Sequence, residues 1–184
     1  MANPMQGSAM ESIFRSEFPE NAMYRFDPEM LMEIALTEGE RCFLAEVGLP
    51  KDEILGWTFD PAIYGLRRVS RIASDRKFFG FDDSHQIVLA GGQDAVACIN
   101  LEPTRCVLSI DLEKRDQQRF INSNLICFVS CLAAFLSCGR EAAGRREDEV
   151  ESIVNAFVER IRSFDPACLD NAENWWSLIV EEFL

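Results

Sequence analysis

The sequence has a single histidine, His85, among 184 residues. A Ser-His-Asp or Cys-His mechanism would have to run entirely through it. It stands between Ser84 and Gln86 at an expected strand entry, where a surface or turn histidine is the simpler reading. Zinc is disfavoured on the same ground, because zinc sites draw on several Cys and His ligands at short paired spacings. A phosphate loop is missing too: Gly91-Gly92 lies between two expected strands, without the spacing or the following helix of a dinucleotide or P-loop motif. No cofactor is implied.

The seven cysteines form no regular disulfide framework, and the opening MANPMQGSAM lacks the apolar core of a secretory signal. A frayed N-terminal tail and a reducing, cytoplasmic setting are expected. The longest apolar run, Leu125 to Leu136, is interrupted by Ser130 and falls short of the roughly 20 residues that span a bilayer. It predicts a buried helix. Internal repeats and low-complexity stretches are absent.

Positive charge is scarce: 18 Lys and Arg face 31 Asp and Glu, a net charge of −13. Such a balance opposes phosphate backbones, disfavours direct nucleic-acid binding and attracts a basic partner at long range. The acidity sits at the two ends. Residues 1–60 hold 12 acids against 4 bases, and residues 141–184 hold 11 against 4, so the middle is nearly balanced. Within it, Arg67, Arg68, Arg71, Arg76 and Lys77 make a basic island with only Asp75 among them. A charged, solvated edge strand accounts for that cluster more simply than an anion site does.

The length and the 48% apolar content fit one folded domain. Asp27-Pro28 predicts a helix start, with Met30, Leu31 and Ile34 on its apolar face. Thr37 followed by Glu40 forms a capping-box pattern for a second helix, which Gly48 ends in the left-handed conformation. Ile54–Phe59, Gly65–Ile72 and Arg76–Phe81 read as extended pieces. Gln86–Ala90, Ala95–Leu101 and Cys106–Leu112, separated by turn residues, predict an antiparallel meander.

A helix follows from near Ser123, with Leu125, Phe128, Leu132 and Phe135 along one stripe. The next spans Glu147–Phe164, acidic at its start and carrying Arg160 and Arg162 near its end, as the macrodipole favours. Ala172–Phe183, with Trp175 and Trp176, forms a terminal helix apolar nearly all round. It either closes the core or leaves one Trp as an interface anchor. Asn122-Ser123-Asn124 is read as cap chemistry for the helix it precedes. Cys127 and Cys131, four apart, suit core packing better than a redox pair.

Four stretches share their wording and order with one family. FLAEVGLP (43–50) resembles its Phe-Leu-x-x-x-Gly-Leu-Pro signature, and QIVLAGGQDAVACINLEPTRCVLSIDL (86–112) resembles its central hairpins. FINSNLICFVSCLAAF (120–135) resembles its Phe-x-Asn-Ser-x-Leu helix opening, and WWSLIVEEF (175–183) its Trp-rich terminal helix. The family is the SUKH superfamily, in the immunity-protein branch counted as its fourth. Thr104-Arg105 departs from the pattern, which commonly has glycine before the Val-containing strand.

The resemblance implies an α+β domain with a mixed, mostly antiparallel sheet packed by helices. Residues 1–22 are expected as a lead-in and 23–184 as the domain. It further implies a non-enzymatic immunity protein of a bacterial polymorphic toxin system, which neutralises a cognate nuclease or deaminase by stoichiometric occlusion. The alternative is a regulatory or scaffold module of the same superfamily. From charge and loop placement, Asp82, Asp83, Asp94 and Glu102 are expected to form an acidic rim for a basic toxin.

Overall fold

The structure is a computed structural model that describes residues 16–75, 85–114 and 117–182. Packing starts ahead of residue 23: Phe18 is a core residue, and the buried Glu17 carboxylate pairs with Arg140. The expected tail MANPMQGSAM lies outside the described residues. Strand β1 (Met23–Tyr24) pairs antiparallel with β2 (Leu49–Pro50), and two helices fill the interval between them.

Both helices begin on the caps their sequences predict. In α1 (Pro28–Met32) the Asp27 carboxylate accepts from the Glu29 amide at 2.9 Å. In α2 (Glu38–Glu46) Thr37 and Glu40 exchange both capping-box hydrogen bonds, at 3.2 and 2.7 Å. Gly48 follows with φ of 93°, and a Cβ there would lie 2.1 Å from the Tyr24 carbonyl oxygen. Only glycine fits this close approach of α2's exit to β1.

Two expected strands take other forms. Ile54–Phe59 contributes only isolated bridges, Ile54 to Trp57 and Thr58 to Gly91. Gly65–Ile72 runs instead into helix α3 (Val69–Asp75). Val69, Ile72 and Ala73 are all buried and follow a three-four spacing, so helical periodicity outweighs the β propensity of the branched residues. The stretch Arg76–Phe81 lies outside the described residues.

The central hairpins form the expected three-stranded meander, β3 (Gln86–Gly91), β4 (Ala95–Asn100) and β5 (Val107–Asp111), and β6 (Gln118–Asn122) adds a fourth strand that was not expected; all pair in sequence order and antiparallel. Both faces of this sheet are covered. Ile87, Leu89, Ala97, Ile99, Val107 and Ile121 belong to the larger core with the helices α4 (Leu125–Ala142) and α5 (Glu147–Phe164). On the other face Val88, Val96, Cys98 and Ile110 meet Tyr64 and the buried side of α3. Tyr64 lies flat enough on β3 that a Cβ at Gly91 would fall 2.2 Å from its ring.

Helix α4 is apolar and long enough by composition to cross a membrane, yet Leu125, Phe128, Val129 and Leu132 are fully buried against the sheet. It is a core helix, as its interrupted apolar run predicts. The last helix, α6 (Trp175–Glu181), closes the same core: Trp176 is fully buried, while Trp175 is half-buried with its ring centroid 4.9 Å from that of Trp176 and 6.0 Å from that of Trp57. The architecture is α+β, with a two-stranded and a four-stranded antiparallel sheet.

Candidate functional site

Two polar assemblies stand out, one sealed in the core and one open to solvent. The sealed one starts at the Asn122-Ser123-Asn124 turn. Asn124 is the cap of α4, its side-chain oxygen accepting from the Cys127 amide at 2.9 Å. Its two neighbours do something the local sequence does not indicate. The Asn122 amide donates to Asp165 Oδ2 at 2.9 Å, and the Ser123 backbone N–H and hydroxyl both donate to the Asp165 carboxylate at 2.7 Å. Asn122 Oδ1 in turn accepts from the Trp176 indole N–H at 2.9 Å.

This network ties β6, the end of α5 and α6 together around one buried carboxylate. Three donors meet the two oxygens of Asp165, which is 3% exposed, so the carboxylate is held inside the core. Its chemistry is structural. The neighbouring thiols are equally inert: burial pushes Cys127 up to about 11, and Cys131 is raised by burial first and by its contact with Cys168 second. Thiols protonated at neutral pH are poor nucleophiles. Among the described residues no group of three His, Cys, Asp or Glu side chains is arranged to hold a metal.

The open assembly is a cleft of about 620 Å³ where α1, the approach to α3, the start of β3 and the β4–β5 turn converge. One wall is apolar, with Met30 and Ile34. The opposite wall is the segment Gly65–Arg68 and the first turn of α3, which bring Arg67, Arg68 and Arg71 to the lining. Arg67, Arg68 and Arg71 of the basic island therefore form no edge strand, and Arg76 and Lys77 lie outside the described residues. Its chain segment turns from a bridge, Arg68 to Ile87, into a helix, while the Arg67 carbonyl accepts from the Val88 amide at 2.7 Å.

The β4–β5 turn supplies Glu102 and Arg105. Arg105 has φ of 54°, the left-handed region that costs a residue with a Cβ about 1 kcal/mol or more. Its guanidinium offsets that strain with a set of distant partners: Glu40 through Nε at 3.3 Å and through Nη2, Ala35 O at 3.2 Å and Leu101 O at 3.3 Å. Here the resemblance expects glycine. The backbone shape that glycine would supply is kept, and the arginine adds a cross-link to α2. Glu40 thus serves both the capping box and this ion pair while remaining buried.

Of the expected acidic rim, Glu102 borders this cleft with its carboxylate 3.8 Å from His85 Nδ1, both side chains being exposed. Asp94 is also exposed but lies in the β3–β4 turn, at the opposite end of β4, separated by about 20 Å of strand. The two do not share a rim. Asp82 and Asp83 lie outside the described residues. Sequence reasoning missed Arg105 as a wall of the site; its one visible trace was the replacement of an expected turn glycine.

Comparison with curated proteins and with solved structures returns no match. The model of one family does match, over residues 10–182 and thus nearly the whole chain, and on that basis the protein belongs to the SUKH-4 immunity protein family.

Proposed function

We propose that this protein protects a cell by binding a toxin protein one to one and blocking its action, without catalysis of its own. The observation that carries this reading is the family match across residues 10–182. The toxin is a nuclease or deaminase of a bacterial polymorphic toxin system, and the protein acts in the cytoplasm, where such a toxin meets its nucleic-acid substrate.

Charge supports that choice of target. Enzymes acting on nucleic acid present basic grooves, and a chain of net charge −13 steers toward them at long range. The burial of Asp165 among its donors and the upward shift of the buried thiols support a non-catalytic reading. Affinity capture from the native cell, followed by co-expression with the captured protein's toxic domain, tests the reading. Restored growth with a one-to-one complex and no turnover is expected. Capture of a harmless protein instead would reassign the chain as a scaffold module.

A further inference from the structure

We propose that the outer edge of β6 receives an extended segment of the partner protein as an added strand, with an acidic side chain set against Arg119. That the segment belongs to a toxin rests on the immunity reading; the strand addition itself does not. The chain treats the two edges of its four-stranded sheet differently. On the β3 side the preceding segment closes the edge: Thr58 and Gly91 exchange backbone hydrogen bonds at 3.0 Å, and the Val88 amide donates to the Arg67 carbonyl at 2.7 Å. On the β6 side only the far half is closed, where the Ser123 amide donates to Asp165 and the short 3-10 helix Pro166–Leu169 lies against the strand.

The register identifies the free groups of the near half. The Asp111 amide donates to the Gln117 carbonyl at 3.2 Å, and the ladder continues through Ile110 to Gln118, Ser109 to Arg119 and Leu108 to Phe120. Residues alternate in an antiparallel ladder, so Gln117 and Arg119 turn their backbone groups toward β5 while Gln118 and Phe120 turn theirs outward. Among the described residues nothing pairs with the outward N–H and C=O groups of these two. Gln118 is exposed and Phe120 half-buried, so the edge meets solvent. Unpaired edge groups of this kind are a template for another strand.

The side chains along the edge define the strand that fits. Phe120 stands opposite Leu108, also half-buried, and together they offer apolar contact on one face. Arg119 lies on the other face and has no hydrogen bond or ion pair among the described residues. A second copy of this chain is a poor occupant. Two-fold pairing through both outward residues sets Gln118 against Phe120 of the other copy, which places Arg119 directly opposite its own counterpart. Two copies of net charge −13 also repel at long range. A foreign strand with an acid opposite Arg119 and an apolar residue opposite Phe120 satisfies both positions. It sets register and orientation, while the acidic surface elsewhere supplies the long-range attraction.

Gln118→Pro tests the edge and spares the ladder, because the amide it removes points away from β5. Gln118→Thr is the control that keeps the amide, and circular dichroism checks the fold of each variant. The fluorescent probe is a short peptide alternating Val and Thr around a central Glu, compared with a copy N-methylated on alternate amides and a copy with Lys in place of Glu. The first peptide should bind wild type and Gln118→Thr about tenfold more tightly than it binds Gln118→Pro, and N-methylation should cost wild type a similar factor. Arg119→Glu should reverse the preference for Glu over Lys; an unchanged preference overturns the acidic assignment. Binding to wild type no better than that of the N-methylated copy overturns the inference, a result that needs no variant to fold. A wild-type dimer in sedimentation that Gln118→Pro dissociates also overturns it, by assigning the edge to a second copy. With a captured toxin, hydrogen exchange at the Gln118 and Phe120 amides should slow at least about tenfold on complex formation. Unchanged exchange in a complex that still protects cells would overturn the edge and leave the immunity reading intact; peptide binding at the edge without protection by wild type would overturn the immunity reading alone.

Discussion

The Asp165 network and the arginine cleft are made of similar groups, carboxylates facing strong donors, yet they differ in where the donors end. Around Asp165 the donors come from β6 and the start of α4, with Trp176 joined through Asn122, and all of them are consumed inside the molecule. Around Glu40, Arg105 is consumed at the border of an open cleft, with Arg68 and Arg71 also on its lining. A saturated polar cluster specifies one packing of the core. The one at the cleft cross-links a turn to a helix without being sealed from solvent.

Substitutions that break the sealed side should have the largest effects. Trp176→Ala removes a fully buried indole and orphans Asn122 Oδ1, and should cost about 4 kcal/mol in a urea melt. Asp165→Ala leaves the Asn122 amide and two Ser123 donors without their acceptor and should cost about 3 kcal/mol. On the open side, Arg105→Ala should cost about 2 kcal/mol by isolating the buried Glu40 carboxylate. Arg105→Gly should cost less than Arg105→Ala, because glycine relieves the left-handed strain. If the two variants melt alike, that strain is not a factor.

Arg71→Glu sharpens the contrast at the small end, with a stability change within about 0.5 kcal/mol. The thiols add a pH arm confined to the sealed side. Cys127 is raised to about 11 in the folded protein, and Cys98 and Cys131 are also raised, chiefly by burial. Below about pH 9 these thiols are protonated whether the chain is folded or not, so they contribute no pH dependence. Above it the unfolded chain ionises first, so stability should fall as pH rises from 9.0 through about 11. A melting temperature flat across that window would show that the thiols are more hydrated than their burial indicates.

Local signals in the sequence were sufficient wherever a structure's partners lie within a few residues. The Asp27-Pro28 start, the Thr37/Glu40 box, the Gly48 exit and the meander turns all rest on contacts of that range. The misreading of Val69–Asp75 is of the same kind, because the helical spacing was present and β-branched composition was given more weight. The two polar assemblies are different. Asp165 lies 42 residues from Ser123, and Arg105 lies 65 from Glu40. No periodicity or cap rule encodes such pairings; only the packing of α5 on the sheet and of the β4–β5 turn on α2 creates them. Asp94 and Glu102 of the expected rim lie apart for the converse reason: two hairpin turns adjacent in sequence sit at opposite ends of the strand that joins them.

The contiguous indoles have a practical consequence. The chain has three tryptophans, and the contacts from Trp57 to Trp175 and from Trp175 to Trp176 link all of them in one row. Intrinsic fluorescence therefore samples a single joint, where the last helix meets the loop ahead of the sheet. Its emission is a gauge of whether the C-terminal segment is seated, readable in real time and without a label.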